Sequence, residues 1–142
     1  MTSRNDILIS ACDAQAIGLM LGDWPRRHRL EQETAAELAT TIASARIVAS
    51  DELAHDVVAM DSTVTYVEIP DGGAETVRIV YPVQANAGAG RVSVLSPIGR
   101  ALLGRFVGSV IDVLLPTGRQ FAIRIVEVSR GRVSNDEALA LA

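Results

Sequence analysis

The sequence changes character near residue 50, and this change restricts the fold more than any other feature. Residues before it are rich in Ala, Leu, Glu and Arg, a composition typical of helices. From about residue 56, Val and Ile dominate in short runs separated by Gly, Pro, Asp and Asn, which is typical of strands joined by turns. We therefore predict an α+β protein in which residues 1–50 form a helical part and residues 51–142 form a sheet domain.

The helical part is predicted to be an antiparallel hairpin of two helices, a short coiled coil. Asp13 is placed to cap a first helix of about ten residues and Gly22 to end it, because these residue types favour those positions. Residues 23–25 then form a turn, since proline disfavours helix in the residue before it. A second helix, from about Arg27 to Arg46, carries an apolar stripe at four-residue spacing: Leu30, Thr34, Leu38 and Ile42.

The sheet domain is predicted to contain five strands and one short helix. Ser96 is a suitable N-cap for that helix, Pro97 suits its first position and Gly104 suits its C-terminal stop. Turns with positive φ are expected at residues 71–73 and 116–118, which are rich in Asp, Pro and Gly. The predicted strands are Thr63–Ile69, Glu75–Pro82, Val92–Leu95, Val110–Leu115 and Gln120–Val128.

Composition and motifs argue against several classes of protein. The net charge of −4 does not suggest a phosphate-gripping surface, and the single cysteine excludes an intrachain disulfide. No stretch approaches the roughly 18 apolar residues of a membrane span, so we expect a soluble cytoplasmic protein. The loop at 86–90 is glycine-rich but is not followed by the Lys-Ser/Thr of a phosphate loop, and we interpret it as a flexible hairpin loop. No cofactor, metal site or catalytic residue is predicted.

Residues 92–104, with the sequence VSVLSPIGRALLG, carry a specific pattern of glycines and one proline. Together with the Pro-Thr-Gly turn at 116–118, this run closely resembles the C-terminal domain of the Gre (GreA/GreB) transcription factors. Residues 53–64 and 78–82 resemble the Rnk branch of that family, whose members are called regulators of nucleoside diphosphate kinase. The resemblance covers about residues 13 to 128 and is weaker in the helical part.

The resemblance implies both a fold and a partner. The fold is an FKBP-like antiparallel sheet wrapped on one short helix and preceded by a helical hairpin. Gre factors place this globular domain on the rim of the secondary channel of RNA polymerase and extend a long coiled coil to the active centre. Two acidic residues at the tip of that coiled coil help to hold a magnesium ion for transcript cleavage. RNA polymerase is therefore the implied partner, with DNA nearby only through the polymerase.

The expected tip of the helical hairpin departs from the Gre pattern. A first helix of about ten residues rises only about 15 Å, which is several times shorter than a Gre coiled coil. The turn offers Asp23 as its carboxylate, followed by Trp24 and then by Arg26 and Arg27. Because a hard cation needs clustered carboxylates, we predict no cleavage stimulation and no enzyme activity. These four residues are candidates for a tip contact; alternatively, the arginines are a solvated helix start and Trp24 packs back across the hairpin.

The resemblance also implies a docking surface at the start of the short helix and in the loop before the third strand. By position in the motif, its residues are Leu95, Ser96 and Pro97, with Ala85 and Asn86 from the loop. A helix start presents unpaired N–H groups, and proline makes it rigid. For Leu95 the alternative is core packing, because alternating strand residues point inward.

Two other functions stay open at this point. An FKBP-like fold suggests a prolyl isomerase, but that pocket needs several aromatic side chains and the chain has only five aromatic residues of the Phe, Tyr and Trp types. The name of the Rnk branch suggests a regulator of nucleotide metabolism. The sequence shows no nucleotide site, so such an effect is expected to be indirect.

Overall fold

A computed structural model describes residues 7–29 and 32–130 of the 142-residue chain, and it is a mixed α+β structure as predicted. In chain order the elements are β1 (Leu8–Ser10), α1 (Ala11–Arg27), α2 (Gln32–Ser44), β2 (Arg46–Val48), β3 (Thr63–Ile69), β4 (Ala74–Val80), β5 (Arg91–Ser93), α3 (Pro97–Leu102), β6 (Val110–Leu114) and β7 (Gln120–Ser129). Strands β1 and β2 form a small parallel pair. The other strands form one five-stranded sheet in the order β5-β4-β3-β7-β6.

Helix α1 is longer than predicted, and both of its predicted ends are wrong. It is capped by Ser10, whose hydroxyl accepts a hydrogen bond from the amide of Asp13 at 3.1 Å. It continues through Gly22 and Pro25 and ends at Arg27, where the amide of His28 donates to the carbonyl of Trp24 at 3.0 Å. Glycine commonly ends a helix because its backbone can turn to positive φ, and Gly22 does not have a positive φ. With 17 residues, α1 is about 25 Å long.

Helix α2 confirms the predicted stripe where the structure describes it. Ala35 and Leu38 are buried, and Ile42 packs against the same core. The helix begins at Gln32 rather than Arg27, so the predicted turn and helix start are displaced by about one helical turn. Leu30 lies outside the described residues.

The N-terminal strand pair was not predicted. Leu8 pairs with Arg46 and Ser10 with Val48, and the amide of Leu8 donates to the carbonyl of Gly104 at 3.1 Å. Strands of three residues are too short to show the two-residue alternation by which a strand is recognised. The pair ties the start of α1 and the end of α2 to the residue that follows α3.

The sheet confirms β3 residue for residue, and the other four strands differ from their predicted ends by one or two residues. Gly118 has the expected positive φ of 91° in the turn between β6 and β7. The residues 71–73 do not have the positive φ that we predicted. Gly72 is needed there for space instead, because a Cβ on it would overlap the side chain of Glu68.

Strands β4 and β5 are parallel, so the predicted hairpin between them is wrong. Two short 3₁₀ turns, Pro82–Gln84 and Ala87–Ala89, carry the chain back to the same end of the sheet. Gly90 ends the second turn with a φ of 75°. The remaining strand pairs of this sheet are antiparallel.

One hydrophobic core includes residues from the helices and from the sheet. Its largest fully buried side chains include Ile17 of α1, Leu38 of α2, Leu102 of α3, and Ile79 and Ile123 of the sheet. Helices α1 and α2 therefore share a core with the sheet. The predicted C-terminal tail or helix, from Arg130 onward, falls on residues 131–142, which lie outside the described part of the chain.

A membrane-spanning helix is not found in residues 7–29 and 32–130, since none of the helices there has both the length and the apolar character that a bilayer requires.

Asp13 joins α1 to the segment that precedes β3. Its carboxylate Oδ2 accepts a hydrogen bond from the amide of Met60 at 3.0 Å. Burial raises the pKa of Asp13 above its ordinary value of 3.8, and hydrogen bonds with Met60 and Ser10 offset part of that increase. Of the nearby charges, Asp61 raises this pKa further and Arg130 lowers it. The carboxyl group of Asp13 therefore stabilises the fold as an acceptor for the Met60 amide, but its negative charge destabilises the fold because it is partly buried.

Replacing Asp13 by Asn is expected to leave the protein at least as stable as wild type at neutral pH, whereas Asp13→Ala should cost about 1–2 kcal/mol. Asparagine keeps an acceptor for the Met60 amide without a buried charge, and alanine leaves that amide unpaired. Because the folded pKa is raised, the stability contributed by Asp13 is present at acidic pH and is lost as pH rises through that pKa. Urea denaturation at about pH 4 and at neutral pH should show the advantage of the Asn variant growing with pH. An advantage that shrinks would contradict this assignment.

Candidate functional site

The start of α3 has the geometry that the Ser-Pro motif predicts. The hydroxyl of Ser96 accepts from the amide of Gly99 at 3.1 Å and donates to the carbonyl of Ser93 at 2.6 Å. Pro97 occupies the first helical turn, where its missing N–H removes no helical hydrogen bond. Gly104 follows the helix with a φ of 80°, which confirms its predicted role as a C-terminal stop. Both ends of this short helix are therefore defined by local interactions.

Gly99 lies against the strand that precedes the helix. A Cβ at this position would overlap the carbonyl oxygen of Ser93 and would lie 3.0 Å from the Cα of Val94. The absence of a side chain lets α3 pack directly on the backbone at the end of β5. This close approach places Ser96 and Pro97 relative to the sheet.

The five residues of the predicted docking surface do not all face the solvent. Ser96 and Pro97 are half-buried, and Ala85 and Asn86 are exposed. Leu95 is 2% exposed and belongs to the core, which is the alternative that alternation in a strand suggested. A partner at this surface would therefore meet the other four residues rather than Leu95.

The structure places the two parts of that surface at opposite ends of β5. Asn86 forms a β-bridge with Arg91, in which each amide donates to the other residue's carbonyl, at 2.9 and 3.0 Å. Ser96 follows the other end of the strand. The chain from Arg91 to Ser96 spans at most about 18 Å, so one partner element of moderate size can reach both parts.

A pocket of about 280 Å³ opens beside the start of α3, between the helix and the sheet. Its apolar lining includes Ile98, which follows Pro97 directly, and its aromatic lining is Tyr66 and Phe121. The hydroxyl of Tyr66 donates to Glu75 at 3.3 Å. Burial, followed by the charge of Glu75, raises the pKa of Tyr66 to about 12, so this hydroxyl stays protonated at neutral pH.

The rim of the pocket is charged. Arg119 pairs with Glu68 at 2.9 Å, and its guanidinium lies 5.1 Å from the centre of the Phe121 ring. Sequence reasoning did not predict this pocket, because its residues come from the β3–β4 hairpin, α3 and the β6–β7 hairpin and form no local motif. The pocket therefore offers both apolar surface and charged groups to a partner side chain.

At the far end of α1, the candidate tip residues have two kinds of environment. Asp23 and Arg27 form an exposed pair at 3.7 Å, and Arg26 is exposed. The ring of Trp24 stacks on that of His28, with centroids 3.6 Å apart and planes 7° from parallel. Trp24 is partly buried and also packs against the core. Its ring therefore contacts both His28 and the core.

Metal chemistry has no obvious location in the described residues. Residues 7–29 and 32–130 contain no group of three or more His, Cys, Asp or Glu side chains placed to hold a metal ion. The guanidinium of Arg27 lies 3.7 Å from Asp23, and its positive charge disfavours a divalent cation beside that carboxylate.

The region that contains the five-stranded sheet is similar to known proteins. Residues 53–130 match the family described as transcription elongation factor GreA/GreB, C-terminal domain. The GreA elongation factor of Lactococcus lactis subsp. cremoris is 39% identical over 89 residues, which are 63% of this chain and 56% of that protein. The chain thus spans just over half the length of the GreA relatives that it matches.

Two further comparisons extend the similarity into the helical part. A regulator of nucleoside diphosphate kinase from Escherichia coli is 32% identical over 126 residues, which are 89% of this chain and 90% of that protein. The solved structure of a GreA/GreB elongation factor from Nitrosomonas europaea has 30% identity and a TM-score of 0.68, and it covers 87% of this chain and 98% of its own. The matched family region exceeds half of the chain, and the Escherichia coli relative matches over nearly its whole length. This chain therefore belongs to the GreA/GreB family of transcription elongation factors.

Proposed function

We propose that this protein binds RNA polymerase at the rim of the secondary channel and modulates elongation without stimulating transcript cleavage. The observation that carries the proposal is the start of α3, where Ser96 and Pro97 form a rigid cap beside a pocket that is lined in part by Ile98 and Phe121. In this proposal, the sheet and α3 form the FKBP-like domain of residues 51–142. Helices α1 and α2, within residues 1–50, correspond to a shortened Gre coiled coil.

The cap is suited to docking for an energetic reason. Ser96 uses both its donor and its acceptor within the protein, so its orientation is set before a partner arrives. Little conformational entropy is then lost on binding. The neighbouring pocket supplies apolar surface through Ile98 and Leu115, and its rim carries Glu68 and Arg119 for polar contacts. Ala85 and Asn86 complete the proposed contact from the other end of β5.

The arm explains why the proposal excludes cleavage. At about 25 Å, α1 is longer than sequence analysis predicted but remains far shorter than a Gre coiled coil. Trp24 and Arg26 at its end are proposed to contact the polymerase near the channel entrance, together with the Asp23–Arg27 pair. An arm of this length occupies the entrance without delivering carboxylates to the active centre.

A competition measurement tests the proposal most directly. Purified polymerase is bound to a resin, and retention of this protein is measured at increasing concentrations of a Gre factor. We expect saturable retention that the Gre factor displaces. Failure of the two proteins to compete would contradict a shared site, and failure to bind polymerase at all would overturn the proposed function.

The docking residues are tested by Ser96→Arg combined with Pro97→Ala. We expect at least about tenfold weaker competition with the Gre factor, because the arginine blocks the cap and the flexible start costs binding entropy. Ser96→Ala removes the N-cap, at a cost of about 1 kcal/mol of stability, without adding a bulky side chain. It therefore separates the effect of losing the cap from the effect of steric blocking. Val110→Arg adds the same charge at an exposed position on β6 and should compete as wild type. If the folded double variant, checked by circular dichroism, competes equally well, the docking assignment is wrong.

Prolyl isomerase is the alternative function, because the pocket has two aromatic side chains in its lining. Its two aromatic side chains are both engaged within the protein, Tyr66 by Glu75 and Phe121 by Arg119. That arrangement favours a contact surface over a proline-binding site, and a proline-peptide isomerisation assay separates the two classes. Any effect on nucleoside diphosphate kinase is proposed to arise indirectly, through transcription.

A further inference from the structure

A row of polar residues crosses the outer face of the sheet, on the side away from α3. Ser129 of β7, Thr63 of β3, Arg78 of β4 and Arg91 of β5 are aligned as successive partners across four strands. The neighbouring row on the same face contains Thr76, whose hydroxyl lies 2.9 Å from that of Thr65. The arrangement places two guanidinium groups next to hydroxyl groups on one rigid surface.

The two arginines line a cleft of about 270 Å³, together with Thr63, Thr76 and the backbone around Gly90. Arg91 donates a hydrogen bond from its Nε to the carbonyl of Gln84 at 3.0 Å. This bond fixes the orientation of the guanidinium group. Gly90 adopts a φ of 75° at the cleft wall. This backbone conformation is difficult for other residues, so the wall is well defined.

Two positive charges lie side by side at the cleft. Arg78 and Arg91 are register partners on neighbouring parallel strands, so their side chains share one face of the sheet. The carboxylate of Asp61 lies 3.8 Å from Arg78, whereas Arg91 forms no ion pair among the described residues. Arg91 therefore keeps a positive charge at the cleft, in a protein whose net charge is −4.

We propose that this cleft binds the phosphate groups of a small anionic ligand. Guanidinium groups match phosphate oxygens in geometry, and threonine hydroxyls can donate to the same oxygens. The volume is below that of pockets that enclose drug-sized ligands, so a diphosphate suits the cleft better than a whole cofactor does. This inference goes beyond the proposed function and is independent of the docking surface at Ser96 and Pro97.

Calorimetric titration of the full chain with inorganic pyrophosphate, at constant ionic strength, tests the site. We expect saturable binding that Arg91→Gln weakens at least about tenfold, because a charge-assisted hydrogen bond of this kind is lost. Arg124→Gln is the matched control, since it removes an exposed arginine from the same face but from β7. It should change the affinity by less than about twofold if the cleft, rather than net charge, binds the anion.

A second variant should change the affinity in the opposite direction. Asp61 competes with the ligand for Arg78, so Asp61→Asn is expected to strengthen pyrophosphate binding by about threefold or more. Asn tolerates the positive φ of 66° at this position, so the backbone should be retained. Absence of binding by wild type, equal losses in the Arg91 and Arg124 variants, or no gain in Asp61→Asn would each overturn the proposal.

The source of the phosphate is distinguished by comparing ligands. Tighter binding of a nucleoside diphosphate than of pyrophosphate would support a nucleotide, and equal binding would support recognition of the diphosphate alone. Binding of an acidic peptide without binding of pyrophosphate would overturn the proposal in favour of a protein contact. Polymerase competition is measured separately, so failure here does not depend on failure of the proposed function.

Discussion

Replacing Gly99 by Ala is expected to lower the free energy of unfolding by about 3 kcal/mol. The added Cβ would overlap the carbonyl oxygen of Ser93, and the Cα of Val94 lies 3.0 Å from the same position. Both neighbours are backbone atoms at the end of β5, so no change of side-chain rotamer can relieve the overlap. Helix α3 must move away from the strand instead. Urea denaturation, with the same slope for both proteins, measures the difference.

The matched control for this change is Gly18→Ala in α1. Gly18 also lies in a helix, but a Cβ there would meet no atom within 4 Å. Alanine should therefore stabilise the protein by about 0.5–1 kcal/mol, because it restricts the unfolded chain and favours the helix. Opposite signs for the two substitutions would show that close packing at α3, and not loss of a glycine, is responsible. If Gly99→Ala is within about 0.5 kcal/mol of wild type, the packing argument is wrong.

Adding this protein to a stalled, backtracked transcription complex is expected to cause no stimulation of transcript cleavage. An arm of about 25 Å is too short to carry carboxylates down the channel, and Asp23 is paired with Arg27 at 3.7 Å. The described residues also offer no cluster of three carboxylate, His or Cys side chains for a metal ion. Cleavage should be measured by the shortening of labelled RNA in the presence of Mg²⁺.

A Gre factor in the same reaction is the positive control, and it should shorten the transcript by an easily measured amount. Adding an excess of this protein to that reaction should slow the cleavage, because both proteins are proposed to occupy the same rim. Asp23→Ala should leave the absence of cleavage by this protein alone unchanged, because its carboxylate is not expected to reach the active centre. Rapid Mg²⁺-dependent cleavage by this protein alone would contradict the proposed function, whatever its affinity for polymerase.

Local sequence signals predicted the short helix and most of the sheet because their structural causes are also local. Ser96, Pro97 and Gly104 each act within a few residues of their own position, as a cap, a first helical residue and a stop. The run of β-branched residues predicted the bounds of β3, in which Val64 and Tyr66 are buried. Gly118 had a turn conformation that only a few residue types adopt readily.

The same kind of reasoning failed where a local preference was outweighed by other contacts. Gly22 and the residue before Pro25 favour an end to the helix, yet α1 continues through both because the apolar side of the helix packs on the core. A glycine inside a helix costs about 1 kcal/mol relative to alanine. Burial of a single large apolar side chain can contribute more than that. The predicted hairpin between β4 and β5 failed for a related reason, since strand direction depends on pairing partners.

The sequence by itself therefore determined the class of fold, the position of α3 and the family to which the chain belongs. Only the tertiary structure decided which residues meet. It buried Leu95, assembled a pocket from Tyr66, Ile98 and Phe121, and aligned Arg78 with Arg91 across two parallel strands. The physical reason is that periodicity and turn chemistry act over a few residues, whereas pairing register brings together positions far apart in the chain.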